Sequence, residues 1–358
     1  MFVNKIYTLE TPEGFMVHIY SLGATITHIM AKDKNNQRAN VVLGYDDLKD
    51  YESNPLFLGC AVGPVAGRTH NGHIPICDDQ RLAVDQRLAV DQETRTLNLD
   101  ISCHPHALHS CSGGLHRVNW QVESQSVDTL VLTHEAQLDD GLNTRVKYTL
   151  TYQVADESLS IDYHATVNHP TYLSLTNHSY FNLSGQPLTI EDNRSNELEV
   201  GTNIADHILT LNCTHYAELN TDSLPVSLIP MVDSDMDFSS PVRIGDVLAN
   251  GTPTVLSTSG VDHPFKRSAS TCVAVLEDPM SGRVMQVHTT QPYVVIYTGN
   301  FLRTAINRLS KTYGTHAGIC FETQDLPNVA NNHLDIVHYV TPDAPYVHRT
   351  VFDFSLNS

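Results

Sequence analysis

The sequence predicts an all-β, antiparallel fold, a sandwich or barrel with few short helices, and three observations carry that expectation. Short runs alternate apolar with polar residues. The runs are rich in β-branched and aromatic side chains, and Gly, Pro, Asn and Asp interrupt them at intervals typical of strands and turns. Long amphipathic helical patterns are scarce.

Taken in chain order, "GFMVHIYSL" (14–22) is the first such run. The trio "TLVLTHEAQL" (129–138), "RVKYTLTYQV" (145–154) and "LSIDYHATV" (159–167) follows at hairpin spacing. The run "RVMQVHTTQPYVVIYTG" (283–299) reads as two strands, and "TVFDFSL" (350–356) as the last. In each, residues two apart share a face, so one face is apolar and can be buried. Only "DDLKDYESN" (46–54) and "NFLRTAINRL" (300–309) read as short helical pieces. The direct repeat "QRLAVDQRLAVD" (80–91) places Leu82, Val84, Leu88 and Val90 on one face of a continuous strand. It reads as a local duplication that lengthens a strand or hairpin. No Pro, Ser or Gly-rich linker divides the chain, which is expected to form one domain over residues 1–358.

Composition narrows the function. The 358 residues carry a formal charge of −19, from 40 acidic and 21 basic side chains. That field repels nucleic acid and anionic lipid, which are bound chiefly through Lys and Arg clusters. It also disfavours a phosphorylated substrate and suits a neutral small molecule. No segment approaches an unbroken apolar span, and "MFVNKIYTLETPEG" lacks the basic-then-apolar order of a secretory leader. Seven scattered cysteines with no C-x-x-C read as free thiols in a reducing compartment, which points to the cytoplasm. A monomer or homodimer is expected.

The stretch "CHPHALHSC" (103–111) offers three imidazoles and two thiols within nine residues, the donor types that zinc takes. No second cluster completes a zinc-finger spacing, and with 20 histidines in the chain a lone His needs context before it is given a role.

Four polar segments sit inside the β-type sequence and supply that context. They are "GPVAGRTHNG" (63–72), "LHSCSGGLHRVNW" (108–120), "TNHSYFNLSG" (176–185) and "GICFETQDLPN" (318–328). With these segments, in this order, the sequence resembles the aldose 1-epimerase family, whose pattern is G-R-V-A-N-R, then L-H-G-G-x-x-G-F-D-K-x-x-W, then N-H-x-Y-F-N-L, then E-T-Q. "GVDHPF" (260–265), "YTGNFL" (297–302) and the closing "VTPDAPYVHRTVFDF" fill the gaps. The resemblance implies a large antiparallel β-sandwich of the galactose mutarotase-like type. It further implies an isomerase that interconverts the α and β anomers of a neutral hexose such as galactose or glucose.

Carried over by motif, the resemblance makes His178 the general acid and Glu322 the general base, with Arg68, His109 and Asp262 binding the sugar. His109 follows from its register with Trp120. His104 and His106 read as loop residues. The chain departs from the pattern at Pro64, Gly67, His106, Ser110 and Cys111, the last two standing where the family has Gly-Gly.

The chemistry asks for such a pair. Ring opening takes a proton from the C1 hydroxyl and gives one to the ring oxygen, and closure on the other carbonyl face reverses both. No metal, nucleotide or other cofactor is needed. A histidine near its ordinary pKa of ~6.5 suits the acid, and a carboxylate lifted toward neutrality suits the base. Two other readings stand beside this one: a non-catalytic sugar-binding or sensing protein on the same fold, and an epimerase for a sugar phosphate or another aldose.

Overall fold

The computed structural model describes residues 4–45, 47–76, 95–102, 105–186, 203–302 and 313–357. The duplication at 80–91, Cys103, His104 and most of the 300–309 segment lie outside the described residues.

Among the described residues, two large antiparallel sheets dominate. The first has ten strands, in the order Ile6–Glu10, Met16–Tyr20, Thr25–Lys32, Arg38–Val42, Tyr180–Gln186, Ile319–Gln324, Tyr293–Tyr297, Asp262–Arg267, Cys213–Leu219 and Pro225–Pro230. The second has nine, running from Gln121–Gln125 at one edge to Val242–Arg243 at the other, with Tyr346–Leu356 at its centre. The strand expectations hold: Arg145–Ala155 alternates exposed and buried residues along nearly its whole length, as a strand with one face on the core requires. Its buried Tyr148, Leu150 and Tyr152 belong to the same core as Phe181 and Phe321 of the facing sheet and Phe352 of their own. Phe181 and Phe352 join the two sheets, with ring centroids 4.8 Å apart, and truncating either to Ala removes roughly 3–5 kcal/mol.

The helical content is small and falls partly elsewhere than expected. Leu48–Glu52 is a 3-10 turn within the expected 46–54 piece, capped by the Asp47 carboxylate on the Lys49 N–H. Helices at Ile244–Asn250 and Pro253–Ser257 were not legible in the sequence. Seven and five residues long, they are too short for a periodic pattern to register.

Two central strands behave differently from the alternating ones. Tyr293–Tyr297 and Ile319–Gln324 are buried at every position. One face of each packs in the core through Val294, Ile296, Ile319 and Phe321, and Thr323 reaches across to Thr350 of the second sheet, Oγ1 to Oγ1 2.6 Å. The opposite face therefore presents Val295, Tyr297, Cys320, Glu322 and Gln324 beneath the loops that cover the first sheet. Polar chemistry buried mid-strand is what sets this face apart.

Candidate active site

The strand Ile319–Gln324 positions Glu322 through its register, with Val295 directly opposite on the neighbouring strand. Along the same face, Asp262 pairs with Tyr297, and Tyr297 with Cys320. Loops supply the other wall. The His178 N–H donates to the Cys60 carbonyl (2.9 Å) and its own carbonyl accepts from Gly59 N–H (3.0 Å). Asn177 braces that contact by donating its amide to the Gly59 carbonyl at 2.9 Å. The Asn and His of "NHSYF" thus divide the work, one locking the loop and the other entering the site.

The two proposed proton carriers meet directly. His178 Nε2 lies 3.5 Å from Glu322 Oε1, and His109 Nε2 lies 3.9 Å from Glu322 Oε2. Both rings pack on Phe57, His109 edge-on at 4.7 Å and His178 stacked at 5.8 Å. Phe57 thereby fixes the angle between them. Arg68, His109, His178, Asp262 and Glu322 line a single cleft of about 180 Å³, together with Phe57, Tyr297 and Gln324. All five site residues expected from the sequence are brought together. Gln324, two residues on from Glu322 on the same strand face, was not among the expected site residues, although the E-T-Q motif contains it. Tyr297 opens the "YTGNFL" segment but was not named as a site residue, and Phe57 and the apolar wall of Leu219, Pro225 and Val295 carried no sequence signal.

Several polar atoms here have no hydrogen-bond partner within the protein: Arg68 Nη1, Glu322 Oε2, and both amide atoms of Gln324. Buried polar groups are ordinarily paired, and leaving one unpaired costs about 1–3 kcal/mol. Donors and acceptors converging on one cleft match a polyhydroxylated ligand, whose hydroxyls both donate and accept.

Burial inverts the titration order of the pair. Glu322 is pushed well above the usual carboxylate range by burial and by Asp262, with Arg68 opposing. His178 is lowered to about 4, chiefly by burial, so the expected unperturbed histidine is not what the site holds. Asp262 rises to about 6 through burial, again against Arg68. His109 falls well below its ordinary value through burial and the neighbouring His178.

The departures from the motif have physical accounts. His109, Ser110 and Cys111 all take positive φ, 52°, 62° and 44°, the region that glycine enters without strain. The loop is held there by Ser110 Oγ, which donates to the Val65 carbonyl and accepts from its N–H, both at 3.1 Å. Gly67 has φ +75°, and a Cβ there would meet Pro327 Cγ at 2.8 Å. A residue with a side chain does not fit. Cys111 is disulfide-bonded, which corrects the expectation that the cysteines are free thiols. Its partner lies outside the described residues, and Cys60, Cys213, Cys272 and Cys320 are free. Scattered spacing does not reveal which cysteines approach in space, and that approach decides pairing.

Among its described residues, the "CHPHALHSC" stretch contributes Leu108 and His109 to the cleft. His106 is a buried loop residue whose Nδ1 accepts from the Asn71 N–H at 3.1 Å. His109, His178 and Glu322 have donor atoms within 4.8 Å of one another, but the tautomer of His109 opposes a metal. Gly67 N–H donates to His109 Nδ1 at 3.2 Å, so in the neutral ring the proton sits on Nε2, the atom facing the cleft. That atom is a donor, suited to a sugar oxygen and not to a cation.

The sequence matches the family described as Aldose 1-epimerase over residues 5–353. It is 31% identical over 348 residues to the galactose mutarotase of Rattus norvegicus and 30% identical to that of Homo sapiens, in each case covering 95% of this chain and 91% of the relative. The aldose 1-epimerase of Escherichia coli is 25% identical over 336 residues, 92% of this chain and 88% of that one. Among solved structures, a GalM/aldose epimerase homologue from C. elegans superposes with a TM-score of 0.81 at 23% identity, covering 99% of this chain and 100% of that one. The galactose 1-epimerase of Lactobacillus acidophilus superposes with a TM-score of 0.77 at 23% identity, covering 99% and 95%. The two-sheet architecture agrees with both, and the chain belongs to the aldose 1-epimerase family of isomerases.

Proposed function

We propose that the chain interconverts the anomers of a free neutral hexose, galactose or glucose, with Glu322 and His178 exchanging a single shared proton through the substrate. The observation that carries this reading is the buried Glu322–His178 contact at 3.5 Å, set in a cleft where Arg68 Nη1, Glu322 Oε2 and both amide atoms of Gln324 have no hydrogen-bond partner in the protein.

In the productive form Glu322 is a carboxylate and His178 an imidazolium. Glu322 takes the proton from the C1 hydroxyl as His178 gives one to the ring oxygen, and the C1–O5 bond breaks to leave the open-chain aldehyde. The pair is then a neutral carboxylic acid and a neutral imidazole, the form that burial favours. Rotation about C1–C2 turns the other carbonyl face to the ring oxygen, and closure returns both protons. The total charge of the pair never changes. Raising the carboxyl and lowering the imidazole favours the neutral pair, the state that ring opening reaches.

Arg68 and Gln324 bind sugar hydroxyls, His109 donates from Nε2, and Asp262 accepts from the far side of the ring. The sugar-phosphate reading gains no support, since Arg68 is the only Lys or Arg among the described residues of the cleft and both Asp262 and Glu322 face it. The family match over 5–353 supports one domain over the chain. No described helix is long and apolar enough to cross a membrane, and the disulfide at Cys111 removes free thiols as the argument for the cytoplasm.

Polarimetry on freshly dissolved α-galactose and α-glucose tests the proposal. Acceleration of the approach to anomeric equilibrium is expected. Sugar binding without acceleration would establish the non-catalytic sensing role instead.

A further inference from the structure

The two histidines beside Glu322 differ in what stands behind them. At His109 the Gly67 N–H donates to Nδ1, which puts the proton on Nε2. Behind His178 stands a thiol. Cys320 Sγ lies 3.5 Å from His178 Nδ1, within reach of a hydrogen bond to sulfur, a weak donor and a weak acceptor. Cys320 comes two residues before Glu322 on the strand Ile319–Gln324, so the face that carries the base also carries the thiol. It is fully buried and stands outside the cleft lining. Burial pushes the Cys320 thiol up, which keeps it protonated and unreactive.

The groups beyond the thiol set the direction of the hydrogen bond. Tyr180 is paired with Cys320 across the strands, and its hydroxyl hydrogen-bonds the thiol. The single proton of that hydroxyl goes to the Leu56 carbonyl at 3.0 Å. The Tyr180 oxygen is therefore left to accept, and it takes the Cys320 S–H. With its proton so placed, the sulfur accepts from His178, and the ring proton sits on Nδ1. The His178 backbone carbonyl also favours a protonated ring, and Nδ1 is the ring nitrogen that can reach its own carbonyl. A proton fixed on Nδ1 leaves Nε2 as the nitrogen whose proton comes and goes. Nε2 is the atom 3.5 Å from Glu322 Oε1.

We propose that Cys320 is the positioning residue of the general acid: its thiol accepts from His178 Nδ1–H and so holds Nε2 as the nitrogen that exchanges the proton with the sugar. The inference rests on His178 being the proton carrier. Sulfur suits the task better than the carboxylate that orients the imidazole of a catalytic triad and stabilises its charge. A carboxylate here would hold the imidazolium and oppose release of its proton to the ring oxygen. A neutral thiol fixes the same tautomer without that penalty. The site thus keeps two histidines in opposite tautomers, His109 to donate a hydrogen bond and His178 to pass a proton.

The first measurement needs no turnover. Nitrogen-15 spectra of histidine-labelled wild type near neutral pH, with the His178 signals assigned by their loss in His178→Gln, should show the Nδ1–H tautomer. The second is the kinetics of two variants by polarimetry, with galactose binding by calorimetry. Cys320→Ala removes the acceptor, and kcat should fall roughly 3- to 10-fold, the worth of one neutral hydrogen bond, while the dissociation constant changes by less than about twofold. Cys320→Ser restores an acceptor and should recover most of that loss. An Nε2–H tautomer in an active wild type, wild-type kcat in Cys320→Ala, or a Ser variant no faster than the Ala variant would overturn the role of Cys320 alone. Absence of mutarotation in the wild type would overturn the reading of the His178–Glu322 pair, and the role of Cys320 with it.

Discussion

Replacing Glu322 by Gln tests the catalytic account at its base, and the structure sets two opposed consequences. Gln keeps the shape of the side chain at the 3.5 Å contact with His178 but cannot take the C1 hydroxyl proton. Loss of general-base catalysis typically costs 10²–10⁴ in rate, roughly 2.7–5.5 kcal/mol in the barrier at 1.36 kcal/mol per decade. Stability should move the other way. The folded protein holds Glu322 well above its ordinary value because of burial and Asp262, so this carboxyl weakens the fold as pH rises above the unfolded-state value. The neutral amide removes that cost, and the variant's melting temperature should exceed the wild type's by a margin that grows above about pH 4.5. The assays are polarimetric initial rates and thermal unfolding from pH 4 to 8. A rate near the wild type would refute the role of Glu322 in proton transfer. A lower rate with a lower melting temperature would show that Gln disturbs the site and would refute the inverted-titration argument.

Arg68→Met removes a half-buried cation whose buried Nη1 has no partner in the protein, and sugar affinity should fall by about 1.5–3 kcal/mol. Because Arg68 opposes the rise of both Asp262 and Glu322, its loss should also move the alkaline limb of the rate profile to higher pH, read by polarimetry. Dialysis against a strong chelator should leave mutarotation unchanged, since His109 presents a donor to the cleft; activity lost with a stoichiometric metal would contradict that tautomer. Acid should destabilise the fold early. His109, His116, His178, His207 and His263 are all lowered by burial, so the unfolded chain binds more protons at these sites as pH falls below about 6.5. Glu322 and Asp262 act in the opposite sense, but His348 is lowered to about 4 as well, so unfolding takes up protons on balance near pH 5 and the fold weakens as pH falls. Calorimetric unfolding in buffers of different ionisation enthalpy counts those protons; zero or negative uptake would contradict the burial of these histidines in neutral form.

The fold was legible because its signal is local. Alternation in Arg145–Ala155 and Ser158–Val167 reports directly which residues face the core. The acid and base were legible because His178 and Glu322 lie in intact motifs, whereas Arg68 and His109 lie in segments that depart from the pattern at Pro64, Gly67, Ser110 and Cys111. What the sequence did not reveal is set by contacts between distant segments. Phe57 becomes the wedge between His109 and His178 only when the 54–60 loop folds over the first sheet. The lowered pKa of His178 is a property of burial, and the motif that names the residue does not record its solvent. The left-handed run at His109–Cys111 depends on Ser110 bonding Val65, 45 positions away, where glycine freedom was the expectation. The disulfide at Cys111 was missed for the same reason, since spacing along the chain does not show proximity across it.

The shared proton is tested most directly by His178→Gln, with polarimetric initial rates and calorimetric galactose binding measured side by side. Gln can still hydrogen-bond the sugar but cannot carry a proton near neutral pH. The account predicts that kcat falls by about 10²–10⁴ while the dissociation constant changes by less than about tenfold, because only the transition state needs the proton. Binding lost in proportion to rate would make His178 a positioning residue, and loss of neither would contradict the exchange with Glu322 altogether.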